Sequence, residues 1–159
     1  MRRPRRAFTL VEILIVVFIL GILATIALPQ FWEAPGEARQ SALLENIAKI
    51  RLVIEVYRNE HSGLPHSQHV ADQLTKPTTF AGEVGEARGG AYRYGPYLEA
   101  MPANPFTGLR TIRGVDDPGQ MFPPGDIDGG WWYNQANGRF YCDLRDVHVD
   151  GHGRPYNQY

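Results

Sequence analysis

Four aspartates fall in two short glycine-containing stretches, Val115-Asp116-Asp117-Pro118-Gly119 and Gly125-Asp126-Ile127-Asp128-Gly129. Carboxylates flanked by free carbonyls suit Ca2+, a hard cation that takes about six to eight oxygen ligands. Asp116, Asp117, Asp126 and Asp128 are therefore candidate calcium ligands, against the plainer alternative of solvated turns in which each Asp accepts a local hydrogen bond. His148-x-Asp150-x-His152 would point its side chains one way on an extended strand, a workable set for a transition metal. Gly151 and Gly153 favour a solvated turn there instead. Cys142, the only cysteine, has no adjacent base to activate it and reads as a small buried hydrophobe. With no nucleophile elbow, phosphate loop or paired-cysteine zinc pattern, the sequence points away from catalysis.

A carboxylate of another kind stands at Glu12, the only charge in residues 8–28, FTLVEILIVVFILGILATIAL. At about 1.5 Å per residue that run makes a helix of roughly 31 Å, enough to cross the hydrocarbon of a bilayer. Arg2, Arg3, Arg5 and Arg6 precede it and, by the positive-inside rule, hold the amino terminus in the cytoplasm. A carboxylate in the apolar part of such a helix costs about 3 kcal/mol on insertion scales. Snorkelling to the headgroups or protonation would relieve that cost. So would a positive partner. Cleavage between Ala7 and Phe8 would create an α-amino group at Phe8, and the amine of a neighbouring, axially staggered helix reaches Glu12 more directly than its own. A buried pair of this kind aligns subunits more than it stabilises them. An ordinary secretory signal peptide has a shorter apolar run, and Ala24-Thr25-Ile26-Ala27 only weakly mimics its cleavage site.

The elements around these groups follow from composition and periodicity. A chain of 159 residues suits one membrane helix and one small extracytoplasmic domain. Its net charge of -1 becomes more acidic once the basic leader is removed, so nothing suggests a general nucleic-acid binder. One cysteine makes no internal disulfide, so the domain needs another source of stability, such as a metal or neighbouring subunits. Gly21 and Pro29 are the weak points of the first helix, with a kink or loss of helix expected near residues 25–29. Leu43, Ile47, Ile50, Ile54 and Tyr57 recur at helical spacing and predict an amphipathic helix, set off from the first by Pro35-Gly36 and stopped by residues 59–65 with Gly63 as the terminator. Residues 70–74 suit a short helix. Residues 130–135 and 139–144 flank Asn137-Gly138 as a β-hairpin, with further short strands near 109–115 and 147–149. Of the aromatic residues Trp131, Trp132, Tyr133, Phe140 and Tyr141, alternate positions form core and leave the other face for neighbours.

Arg5-Arg6-Ala7-Phe8-Thr9-Leu10-Val11-Glu12 followed by an apolar helix resembles the processing sequence of type IV pilins and type II secretion pseudopilins. The resemblance implies that a prepilin peptidase cuts between Ala7 and Phe8 and methylates Phe8, and that Glu12 guides subunits into a helical filament. It also implies that the segment before Pro29 can melt to let subunits pack. Ala7 stands where the family usually has Gly, and is small enough that processing is expected at a slower rate. Thr75-Lys76-Pro77, Pro96-Tyr97-Leu98 and Asn104-Pro105-Phe106-Thr107-Gly108, with the missing disulfide pair, resemble the major pseudopilins of the protein G type. Such proteins often bind a structural Ca2+ in a C-terminal acidic loop. Their loop follows the strands, whereas the aspartates here precede the hairpin, so no ligand is carried over residue by residue.

The expected fold is α+β and pilin-like, a long N-terminal helix packed on a small antiparallel β-sheet. Residues 1–7 form a cleaved leader, 8–29 a membrane and assembly helix, 30–62 an amphipathic helix and 63–159 an extracytoplasmic domain. The resemblance implies a pseudopilus subunit that supports protein export, anchored by one pass in the inner membrane with its C-terminal domain in the periplasm. Its partners would be its own copies, minor pseudopilins, prepilin peptidase, the inner-membrane assembly platform and membrane lipid. A type IV pilin for adhesion, motility or DNA uptake shares every helix feature. A membrane-tethered binding module is the alternative from another class, and it predicts that Glu12→Leu is tolerated.

Overall fold

The computed structural model describes residues 10–159, residues 26–35 by their backbone alone. The chain divides into two compact units, Met1–Ala38 and Arg39–Tyr159, and the first helix, α1 (Leu10–Glu60), supplies residues to both. The other elements, all in the second unit, are α2 (Val70–Thr75), β1 (Ile112–Val115), β2 (Trp131–Asn134), β3 (Arg139–Cys142) and a terminal 3-10 turn (Tyr156–Gln158).

In the first unit α1 runs through Gly21, Pro29 and Pro35 without a break. That corrects the expectation of lost helix near residues 25–29 and of a fresh start at Pro35-Gly36. A proline inside a helix withholds one donor, and the turns around it keep theirs. The Thr25 hydroxyl meanwhile donates to the Gly21 carbonyl at 2.9 Å, the back-bonding by which a polar side chain is satisfied within a helix.

In the second unit the predicted stripe of α1 is the core. Leu43, Ile47, Ile50, Ile54 and Tyr57 are all buried, against Trp131, Tyr133, Phe140, Cys142 and Leu144. Removing a Leu or Ile side chain of this kind from water contributes about 1.5–3 kcal/mol, so the five positions dominate the hold of helix on sheet. Val70 and Leu74 of α2 join the same cluster.

Glycine does not terminate α1. Gly63 is absent from the positive-φ residues, and the Tyr57 carbonyl in the last turn is satisfied instead by His61. Its backbone N–H and its ring Nδ1 both reach the Tyr57 carbonyl, at 3.0 and 2.9 Å, while Nε2 lies 2.9 Å from the Thr78 hydroxyl. Because a carbonyl only accepts, Nδ1 is the donor in the contact with Tyr57. The ring stacks on Tyr57 with centroids 3.7 Å apart.

The sheet order is β1-β2-β3, with β2 and β3 antiparallel as expected but β1 and β2 parallel. The sheet is therefore mixed rather than antiparallel. The expected strand at residues 147–149 is a single bridge, Val149 to Pro155. Parallel neighbours need a crossover of about a dozen residues or more, and residues 116–130 supply it by returning across the sheet face opposite α1. Asn134 on that face donates to the carbonyls of Asp117 and Gln120 at 2.6 and 2.8 Å, and Phe122 lies 5.3 Å from the Tyr141 ring. Trp132 beneath the crossover is fully buried. The face that alternation left open to neighbours is thus covered by the chain's own acidic segment. The hairpin turn forms as predicted, with Gly138 at φ 70 and its N–H 2.8 Å from the Asn134 carbonyl.

Candidate assembly interface

Helix α1 begins as a surface that water does not favour. From Leu10 at 83 % to Val16 at 47 %, its large apolar side chains are exposed on every side. A helix apolar all round is stable only when lipid or other helices cover it. Glu12 lies in its first turn, where the partial positive charge of the helix start favours a carboxylate. Ala7 and Phe8, the expected cleavage pair, lie outside the described residues. Among the described residues no helix is long and apolar enough to cross a membrane. The described side chains of the apolar run stop at Thr25, short of its end at residue 28.

The acidic crossover is built around arginines. Arg113, on β1, places one Nη on Asp126 at 2.9 Å and the other on Asp143, whose side chain is 2 % exposed. Arg145 places Nη2 on Asp128 at 2.6 Å and Nε at 2.8 Å, and His148 Nε2 joins the same carboxylate at 2.9 Å. The Arg113 guanidinium holds the Asp126 carboxyl below the usual carboxylate range, and Arg145 does the same for Asp128. Burial pushes Asp143 the other way, with Arg113 pulling back against it.

The proposed calcium ligands do not converge. Asp117 accepts from its own Gly119 N–H at 2.8 Å, a local turn, while Asp126 and Asp128 are engaged by separate arginines. Among the described residues no group of three or more His, Cys, Asp or Glu side chains is placed to hold a metal ion. A guanidinium on Asp126 and another on Asp128 compete with a cation for the same oxygens. His148, Asp150 and His152 separate likewise. His148 turns to Asp128, whereas Asp150 accepts from the backbone N–H groups of His152 and Arg154 at 2.8 and 2.9 Å and from the Tyr159 hydroxyl. That is the solvated-turn geometry the glycines favour. Cys142 is fully buried, and burial pushes its thiol up to about 12.

Arg113, Asp143 and Arg145 carry this region, and no local pattern marks them. Arg113 and Asp143 stand 30 positions apart and meet because β1 and β3 both pair with β2.

Residues 2–28 match the family described as the prokaryotic N-terminal methylation motif. The chain is 30% identical over 105 residues to the type II secretion system core protein G of Pseudomonas aeruginosa, covering 66% of this chain and 70% of that protein. To the core protein G of Aeromonas hydrophila it is 27% identical over 126 residues, 79% of this chain and 78% of the relative. It is also 35% identical over 98 residues to the type IV major pilin protein PilA of Myxococcus xanthus, covering 61% of this chain but 39% of the pilin. No solved structure matches the chain.

Proposed function

The chain belongs to the type II secretion system core protein G family, and from that premise we propose how it works as the structural subunit of a pseudopilus. Prepilin peptidase removes residues 1–7 and methylates Phe8. The subunit waits in the inner membrane with its second unit in the periplasm. An assembly platform then lifts it into a helical filament in which the α1 helices of neighbouring copies cover one another. Minor pseudopilins accompany it, and the filament supports protein export across the outer membrane.

The observation that carries this reading is the all-round exposure of apolar side chains on the first part of α1, beside a single carboxylate at Glu12. Lipid covers such a helix before assembly and its own copies cover it afterwards. Within the filament Glu12 meets the Phe8 amine of the next copy, fixing axial register. No catalytic step enters this account.

A type IV pilin is the second reading, favoured by the similarity to PilA over 98 residues. A deletion strain tests both. The pseudopilus reading expects loss of exported protein from the medium, restored by the wild-type gene, with surface motility intact. Lost motility with normal export would overturn it in favour of the pilin.

A further inference from the structure

His66-Ser67-Gln68-His69 forms a tight turn ahead of α2 and brings two imidazoles side by side. The His69 N–H donates to the His66 carbonyl at 2.9 Å, and the ring centroids lie 5.5 Å apart with their planes at 36°. Both residues are exposed. Apart from each other, the rings meet one polar partner among the described residues, the Gln68 N–H at 3.3 Å from His66 Nδ1.

The backbone that carries them is fixed from three sides. Gln73, buried on α2, accepts from the His66 N–H at 2.7 Å and donates to the Gly82 carbonyl at the same distance. Gln135 accepts from the Ser67 N–H at 2.8 Å, and its own N–H donates to the Val115 carbonyl at 2.9 Å. A Cβ on Gly114 would stand 2.0 Å from the Ser67 carbonyl oxygen, so the turn lies directly on β1. Ligands on a backbone held in this way lose little freedom on binding, and only their side chains rotate.

The spacing selects the chemistry. Two imidazoles bound through nitrogens at about 2.0–2.1 Å to one tetrahedral ion place their centroids about 5 Å apart, close to the separation here. Imidazole suits Zn2+, Cu2+ and Ni2+, whereas Ca2+ and Mg2+ take oxygen. Binding through Nε2 puts a proton on His66 Nδ1 and gives up only the long contact with the exposed Gln68. The local field favours a cation as well. Asp116, next to Val115, makes no ion pair among the described residues, and its charge acts on the Tyr133 hydroxyl, which donates to the Pro65 carbonyl beside His66.

We propose that His66 and His69 form a two-imidazole site for a divalent transition cation of the zinc type, with water in the remaining positions. The site goes beyond the assembly reading and does not depend on it.

Equilibrium dialysis of the full-length chain in detergent against Zn2+ alone, at neutral pH, tests it. One ion per chain is expected to bind most tightly. His66→Ala and His69→Ala should each weaken it by well over the roughly ten-fold that losing an outer partner of a ligand costs. His152→Ala, which removes an imidazole outside the pair, should leave it unchanged. Thermal unfolding without metal checks that each variant folds. Absence of saturable zinc binding to wild type overturns the site. Binding of wild-type strength in a folded His66→Ala or His69→Ala chain, or its loss in His152→Ala, overturns the assignment to this pair.

Discussion

The Arg113 guanidinium on β1 pairs with the Asp143 carboxylate just beyond β3, and Asp143 is 2 % exposed at its side chain. The same arginine reaches out to Asp126, so one side chain fastens the acidic crossover to the buried end of the hairpin. Removing it would strand a buried charge. Arg113→Met is expected to destabilise the chain by about 2–3 kcal/mol, below the usual cost of breaking a fully buried pair because Arg113 itself is 29% exposed. Urea unfolding monitored by tryptophan fluorescence reads it, since Trp132 lies under the crossover.

The pH dependence follows from the direction of each shift. Asp126 and Asp128 are held low in the folded chain, so their contribution is present at neutral pH and is lost as pH falls through their folded values, below the usual carboxylate range. Asp143 is raised by burial, so its cost grows as pH rises through its folded value. Wild-type melting temperature should therefore fall in acid. In Arg113→Met nothing offsets the burial of Asp143, and its melting temperature should rise as pH is lowered from 7 toward about 5.

Calcium should matter little. With Asp126 and Asp128 each engaged by an arginine, neither added Ca2+ nor a chelator is expected to move the melting temperature. A shift of several degrees on adding the ion would show that the crossover rearranges to bind it.

Cys142 is fully buried and its thiol is pushed up to about 12 by burial. A thiol reagent at pH 8 should leave the folded chain unlabelled and label it fully in denaturant. Labelling of the native chain at a rate near that of free cysteine would contradict the packing described.

The helical stripe from Leu43 to Tyr57 was legible because burial on one face repeats along the chain, and so was the hairpin around Gly138. The parallel pairing of β1 with β2 was not. Nothing in residues 112–115 says which way a strand will run, and the crossover that decides it is irregular chain held by Asn134 and Arg113 from outside. For the same reason the four aspartates read as a possible ion site, although Asp126 and Asp128 find their partners in distant parts of the chain. His61 as the stop of α1 was hidden behind the more familiar signal of Gly63.

Recovery of filaments from Glu12→Leu tests the central claim most directly. The charge is removed from an otherwise apolar run, so insertion and processing should proceed as in wild type. The account predicts a mature chain in the membrane and almost none in the sheared or cross-linked filament fraction. Wild-type filaments from that variant would contradict it, and would leave α1 an anchor rather than the axis of assembly.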